Sequence, residues 1–405
     1  MESNRMESIQ KRPIQEHIKA LSQGAYGCLF LIEKTGNQDK GPYSEQFVTK
    51  IQKKKSVSDN ETKIGKKIMK ITHYEDYFAP VLKTEKVNIA SIDEEEIEKC
   101  TFLKEDKKTG ELASYESNEI LYVGKYSLAD YLTQVSPTQF IEIFVTDHII
   151  LLEGLQKLID AGIVHFDLRE NNIMVKDADA RPIIIDFGLS IDTTGPVDPK
   201  TAFYVYYSEY APWCIEIVIE SYISNELDDE KRKQNATIAE ITKLLDDYLD
   251  KNMGIKQLLL PEERTALRKT FVDFFSTYDN KSWQVIYDEL LKYRNSWDNY
   301  GLTIIYLFLF ENLDLSKYEA EFSFLREYKQ LLKRIMLSSP AERMMPKDTI
   351  ALMNKIFGTL RRTTHKQLKT NLATDLQNPE KVKTMEQSVA KVRLEEKHIE
   401  RSVYE

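Results

Sequence analysis

Apolar positions along this 405-residue chain change their period early. Before residue 124 the pattern is that of short strands. Ile18–Ile32 reads as strand, turn and strand, with Gly24 and Gly27 in the turn, and Gln46–Ile51 alternates so that Lys50 points to one face. Thr101–Lys104 and Leu112–Val123 read as further strands around a polar Lys107–Gly110 turn, with the acidic run Asp93–Glu98 as a surface loop. One helix interrupts them, because Asn60–Lys70 places Ile64 and Ile68 at helical spacing. From Leu128 onward helical periods dominate. Phe140–Ala161 predicts a long amphipathic helix that stops at Gly162, and Leu302–Phe310 a buried one far too short to span a bilayer.

Between those helices stands the stretch that carries chemistry. Ile163–Val175 runs Ile-Val-His-Phe-Asp-Leu-Arg-Glu-Asn-Asn-Ile-Met-Val, and Ile183–Gly188 follows as Ile-Ile-Ile-Asp-Phe-Gly. Short β-branched runs flank a polar loop, so Asp167, Asn172 and Asp186 fall on neighbouring strand ends. Two carboxylates and an amide converging on one point offer hard oxygen ligands to magnesium, with one carboxylate left to face an attacking hydroxyl. Asp and Asn are also ordinary turn formers, so a polar hairpin is the bland alternative. The order and spacing of His, Asp, Asn and Asp-Phe-Gly favour the chemical reading.

This signature resembles the catalytic and metal loops of the protein kinase family. The resemblance implies an α+β fold of two lobes: an extension at 1–15, a small β-rich N-lobe at 16–124, and a large helical C-lobe at 125–358. A helical insert is expected over about 217–296 and a helical tail over 359–405. It implies ATP and Mg2+ as ligands, with Asp167 orienting the acceptor hydroxyl and taking its proton. Asn172 and Asp186 would hold the metal, and Arg169 would stand where serine/threonine kinases usually carry lysine. Leu21, Ser22, Gly24, Gly27 and Leu29 would cover the nucleotide, Lys50 would hold its phosphates, and Glu61 would orient Lys50. Ile120–Gly124 would be the hinge. Late matches are Asp298, as anchor of the catalytic loop's backbone, and Arg343 in Pro-Ala-Glu-Arg, as partner of Glu216.

Departures from the family pattern are informative. Ser22 replaces a glycine, Trp213 follows Ala211-Pro212 where glutamate is usual, and the insert is long. Phe166 replaces the arginine that normally pairs with an activation-segment phosphate, so activity independent of that phosphate is expected. The chain looks more like the outlying kinases of large DNA viruses than a mainstream cellular group. Two rival readings stand beside the protein kinase acting on Ser/Thr hydroxyls: a small-molecule phosphotransferase of the aminoglycoside or choline kinase kind, and a pseudokinase scaffold.

Composition narrows the partners. A net charge of −9 gives no global electrostatic case for nucleic acid. The polar N-terminus lacks the apolar core of a signal peptide. Cys28, Cys100 and Cys214 are widely spaced and read as free thiols in a reducing compartment. The expectation is therefore an intracellular, cytoplasmic protein (host cytoplasm if viral) with a protein substrate and no membrane partner. The insert at 217–296 and the tail at 359–405 are its candidate docking surfaces.

Overall fold

In a computed structural model, residues 16–24, 27–34, 47–53, 56–87, 92, 94–101, 103–104, 115–132, 137–203, 205–312, 316 and 323–360 are described. The expected extension at 1–15, the Lys107–Gly110 turn and the tail beyond 360 lie outside them. The chain is mixed α+β, with a small sheet region near its N-terminus and a helical C-terminal part. It forms two compact units: Met1–Ser58 with Val81–Tyr122, and Asp59–Pro80 with Val123–Glu405.

The first unit is built on strands β1 (Glu16–Gly24), β2 (Gly27–Lys34), β3 (Phe47–Lys53), β5 (Val81–Val87) and β6 (Tyr115–Leu121). They form an antiparallel sheet in the order β1-β2-β3-β6-β5. The β1–β2 ladder slips between Ala20 and Ser22 and ends on the pair Gly24–Gly27. Its apolar face is small: Cys28, Phe30, Ile51, Ile97, Leu103 and Tyr115 are buried together. Glu94–Glu98, expected as a loop, is a short helix, because Ile97 reaches that core and Glu96 accepts a 2.7 Å bond from the Ala20 amide. Thr101, Leu103 and Lys104 are helical rather than extended. Cys28 and Cys100 are joined as a disulfide with Cα atoms 6.1 Å apart, which corrects the reading of free thiols; Cys214 is free and buried.

The second unit holds one continuous core. The helix Ser56–Ile68 begins four residues before the expected Asn60 and contributes Ile64 and Ile68 to it, which is why Asp59–Pro80 groups here. Two short strands, β7 (Ile163–Val164) and β10 (Ile191–Asp192), pair with each other, and β4 (Phe78–Ala79), β9 (Pro182–Ile185) and β8 (Ile173–Val175) form a second ladder. Pro137–Asp160 packs on both and on the last described helix, Pro346–Leu360. Gly162 ends it at φ +68°, where a side chain would be strained. The insert forms helices Ile238–Lys251, Met253–Leu258, Pro261–Phe275 and Trp283–Leu290, whose buried Leu245, Tyr248, Phe271 and Ile286 belong to the same core as Leu155 and Leu302. No helix among the described residues is long and apolar enough to cross a membrane.

Buried ionisable groups give this unit a pH signature. Burial pushes the Asp147 carboxyl up to about 7 and the neighbouring His148 down to about 3; Asp147 Oδ2 and His148 Nε2 have no hydrogen-bond partner among the described residues. A raised carboxyl stabilises the fold below its unfolded value of 3.8, and that contribution is lost as pH rises through about 7. The depressed histidine acts in the opposite sense, its contribution present above 6.5 and lost as pH falls toward 3. Asp147→Asn is therefore expected to match the wild type near pH 4 and to unfold at a higher temperature above pH 7. Thermal midpoints across that range check this, and equal midpoints at every pH would refute it.

Candidate functional site

The site is assembled at one end of the β8–β9 ladder. Ile173 pairs with Ile184, so Asn172, just before β8, and Asp186, just after β9, fall at the same end. The chain between β7 and β8 is held as a rigid loop. Asp298, at the start of the helix Trp297–Asn312, accepts bonds from the backbone amides of His165 at 2.7 Å and Phe166 at 2.9 Å, which fulfils the anchoring role expected of it. Burial raises the Asp298 carboxyl, while these amides and His165 pull it back down. His165 contacts the Ile185 carbonyl at 3.0 Å through Nε2 and lies edge-on to Phe187, tying the loop to the Asp-Phe-Gly segment.

Asn172 Nδ2 donates to the Asp167 carbonyl at 2.9 Å and to Asp167 Oδ2 at 3.1 Å. With its amino group committed to Asp167, the Asn172 amide offers its oxygen as the ligand for a hard cation. Arg169 Nε stands 3.7 Å from Asp167 Oδ2. Among the described residues there is no group of three or more His, Cys, Asp or Glu able to hold a metal. The donors present, one amide and carboxylates, suit magnesium, which keeps waters and takes most of its remaining ligands from phosphate. Phe166 and Asp186 both adopt positive φ, +72° and +60°, strained for non-glycine residues and held only because the surroundings enforce it.

The remaining candidates divide between the units. Asp167, Arg169 and Asn172 are brought together in the helical unit, with Asp186 at their end of the ladder, and the buried Glu61 lies in the same unit. Leu21, Ser22, Gly24, Gly27, Leu29 and Lys50 belong to the sheet unit, where Leu29 pairs in register with Lys50, and Lys50 with Asn118. The chain passes from one unit to the other at Tyr122–Val123, inside the expected hinge. Gly124 is required there, because a Cβ would stand 2.0 Å from the Val175 carbonyl oxygen.

Phe166 shows what takes the place of a charge at that position. Its ring is buried against Phe203 and Trp213, with centroids 5.4 and 5.0 Å away, and its carbonyl accepts from Trp213 Nε1 at 3.0 Å. The segment after Asp-Phe-Gly is gripped from the helix Ser56–Ile68. Asn60 donates to the carbonyls of Gly188 and Ser190, while Lys67 and Lys63 pair with Asp192 at 2.5 and 3.1 Å. Hydrogen bonds from Lys67 and Thr194 hold the Asp192 carboxyl well below its usual range against the opposing effect of burial. Farther out, Glu216 and Arg343 form the expected ion pair, bidentate and with no exposure on either side chain. Sequence reasoning missed Tyr210, whose hydroxyl donates to Asp167 Oδ1 at 2.7 Å; its place directly before Ala211-Pro212 was the available signal.

No protein-family model matches the sequence, and no curated protein matches it.

Proposed function

We propose that the chain is an ATP- and Mg2+-dependent protein kinase that transfers the γ-phosphate to a Ser or Thr hydroxyl of a protein. The observation that carries this reading is the loop 165–172: a carboxylate, Asp167, oriented through both oxygens, beside an amide whose oxygen is left for a cation. Asp167 takes the acceptor's proton, Arg169 would contact the transferred phosphate, and Asn172 with Asp186 would hold magnesium. When bound, magnesium would supply charge neutralisation for the phosphate groups. As the resemblance implies, Lys50 of the sheet unit would hold the remaining phosphates, and Leu21, Ser22, Gly24, Gly27 and Leu29 of the same unit would cover them.

A protein acceptor is favoured over a small molecule by the Glu216–Arg343 pair and by Asp298 beneath the loop at 165–166, two features that resemble protein kinases. The pseudokinase alternative loses ground because Lys50, Asp167 and Asp186 are all present. Asp192 fixes Lys63 and Lys67 without any phosphate, which, with Phe166, supports activity in the unphosphorylated chain. The intracellular placement rests on the supply of ATP, since the Cys28–Cys100 bridge removes the argument from free thiols.

The test is transfer of labelled γ-phosphate from ATP to a panel of acidic and basic proteins by phosphatase-treated wild type, beside Lys50→Met and Asp186→Asn. The wild type should label at least one protein on serine or threonine, and both variants should label none. A silent wild type, or variants that label equally well, would overturn the reading.

A further inference from the structure

The least expected contact in the site is the one that Tyr210 makes. Asp167 when ionised is an acceptor only, with lone pairs on two oxygens. Oδ2 is engaged by Asn172, and Oδ1 receives the Tyr210 hydroxyl at 2.7 Å. A phenol therefore occupies one of the carboxylate positions that an incoming hydroxyl would use. Charge-assisted bonds of this kind are among the stronger ones in proteins, so displacing it has a cost.

The phenol is held there by the helical insert. Asn252 is fully buried at the start of the helix Met253–Leu258 and donates to the Tyr210 carbonyl at 2.8 Å, while its Oδ1 caps the Ile255 amide at 3.1 Å. Next to it, the Met253 amide donates to the Glu209 carbonyl at 3.1 Å. The Tyr210 ring meets Trp213 edge-on at 5.2 Å, and Trp213 in turn is bonded to the Phe166 carbonyl. These contacts fix the tyrosine's main chain on one side and its ring on another, and leave its hydroxyl aimed at Asp167. Only the side-chain torsions remain free to withdraw it.

Resting on the kinase reading above, we infer that Tyr210 is a gate: its hydroxyl occupies the acceptor position on Asp167, and a protein substrate must displace it before transfer. The insert acts as the gate's frame. Two consequences separate this role from simple support of Asp167. Acceptor binding carries the cost of displacement, whereas ATP binding does not. The phenol also competes with water for Oδ1 while no acceptor is present, so hydrolysis of ATP is slowed.

The experiment is steady-state kinetics of Tyr210→Phe and Tyr210→Leu beside the wild type, with the best-labelled protein of the panel as acceptor. Each variant is accompanied by ATP hydrolysis without acceptor and by a thermal midpoint. Tyr210→Phe removes one oxygen and keeps the ring on Trp213, so it should fold. A gate predicts a KM for the acceptor lower by about tenfold, an unchanged KM for ATP, and hydrolysis without acceptor raised by a similar factor. Tyr210→Leu should move both quantities in the same direction. An unchanged acceptor KM with a fallen kcat would make Tyr210 a support of Asp167 and overturn the gate, as would unchanged hydrolysis. If wild type and both variants neither label protein nor hydrolyse ATP above the Asp186→Asn background, the phosphotransferase reading itself falls, and the gate with it.

Discussion

Asp167→Asn is expected to lower kcat for phosphoryl transfer about a thousandfold while leaving the fold in place, within the range that general-base residues contribute. The substitution is isosteric, so its structural cost is confined to hydrogen bonds. Asp167 accepts from Tyr210 on Oδ1 and from Asn172 on Oδ2. An amide can keep the first by presenting its oxygen, but its amino group then faces the amino group of Asn172 and that bond is lost. Turning the amide over restores the Asn172 bond and asks the tyrosine hydroxyl to act as acceptor instead. Either way one bond is weakened, worth about 1 kcal/mol. The backbone bonds from His165 and Phe166 to Asp298 and from Asn172 to the Asp167 carbonyl do not involve the side chain. Catalysis has no such alternative, because an amide cannot take the acceptor's proton. Labelled transfer, read beside a thermal melt, separates the two effects. A variant that melts like the wild type and transfers like it would remove Asp167 from the chemistry.

The site's central residues were legible because they lie within one hairpin, where strand register converts sequence spacing into proximity. Asn172 and Asp186 needed only the β8–β9 ladder to meet at one end. Asp298 and Arg343 were legible by order and by the apolar helices around them, and the predicted contacts with the loop at 165–166 and with Glu216 are present. Tyr210 was not, because its distance from Asp167 depends on how 205–214 folds over the loop and on Asn252 in the insert. The Cys28–Cys100 bridge was hidden for a similar reason. Its partners are 72 positions apart and meet only once the sheet and the helix Glu94–Glu98 have formed. Thr101–Lys104 misled through local composition, since β-branched and aromatic residues favour strands until tertiary packing decides otherwise. The units themselves follow apolar periodicity, but Asp59–Pro80 changes sides because Ile64, Ile68 and Phe78 are shaped for the larger core.

Removing one member of the Glu216–Arg343 pair is expected to destabilise the helical unit by about 3–5 kcal/mol, the range for a buried ion left without its partner. Both side chains have no exposure, and Arg343 also lies 5.0 Å over the Tyr300 ring. The two single variants should differ in their dependence on pH. In Glu216→Gln a guanidinium stays charged at every accessible pH, so the loss should be constant. In Arg343→Met the orphan is a carboxyl one helical turn from Glu220, whose own carboxyl is fully buried, without a hydrogen-bond partner among the described residues, and raised by burial and by the acidic groups around it. Glu216 in that variant can discard its charge only by taking up a proton, so the variant should lose least at low pH and progressively more as pH rises past the ordinary carboxylate range. Replacing both residues together, as Glu216→Leu with Arg343→Met, removes two buried charges at once and should recover most of the loss. Denaturant midpoints for the three variants at pH 5 and pH 8 decide the matter. If the double variant is as unstable as the worse single one, the pair contributes by shape and packing, and the charge argument fails.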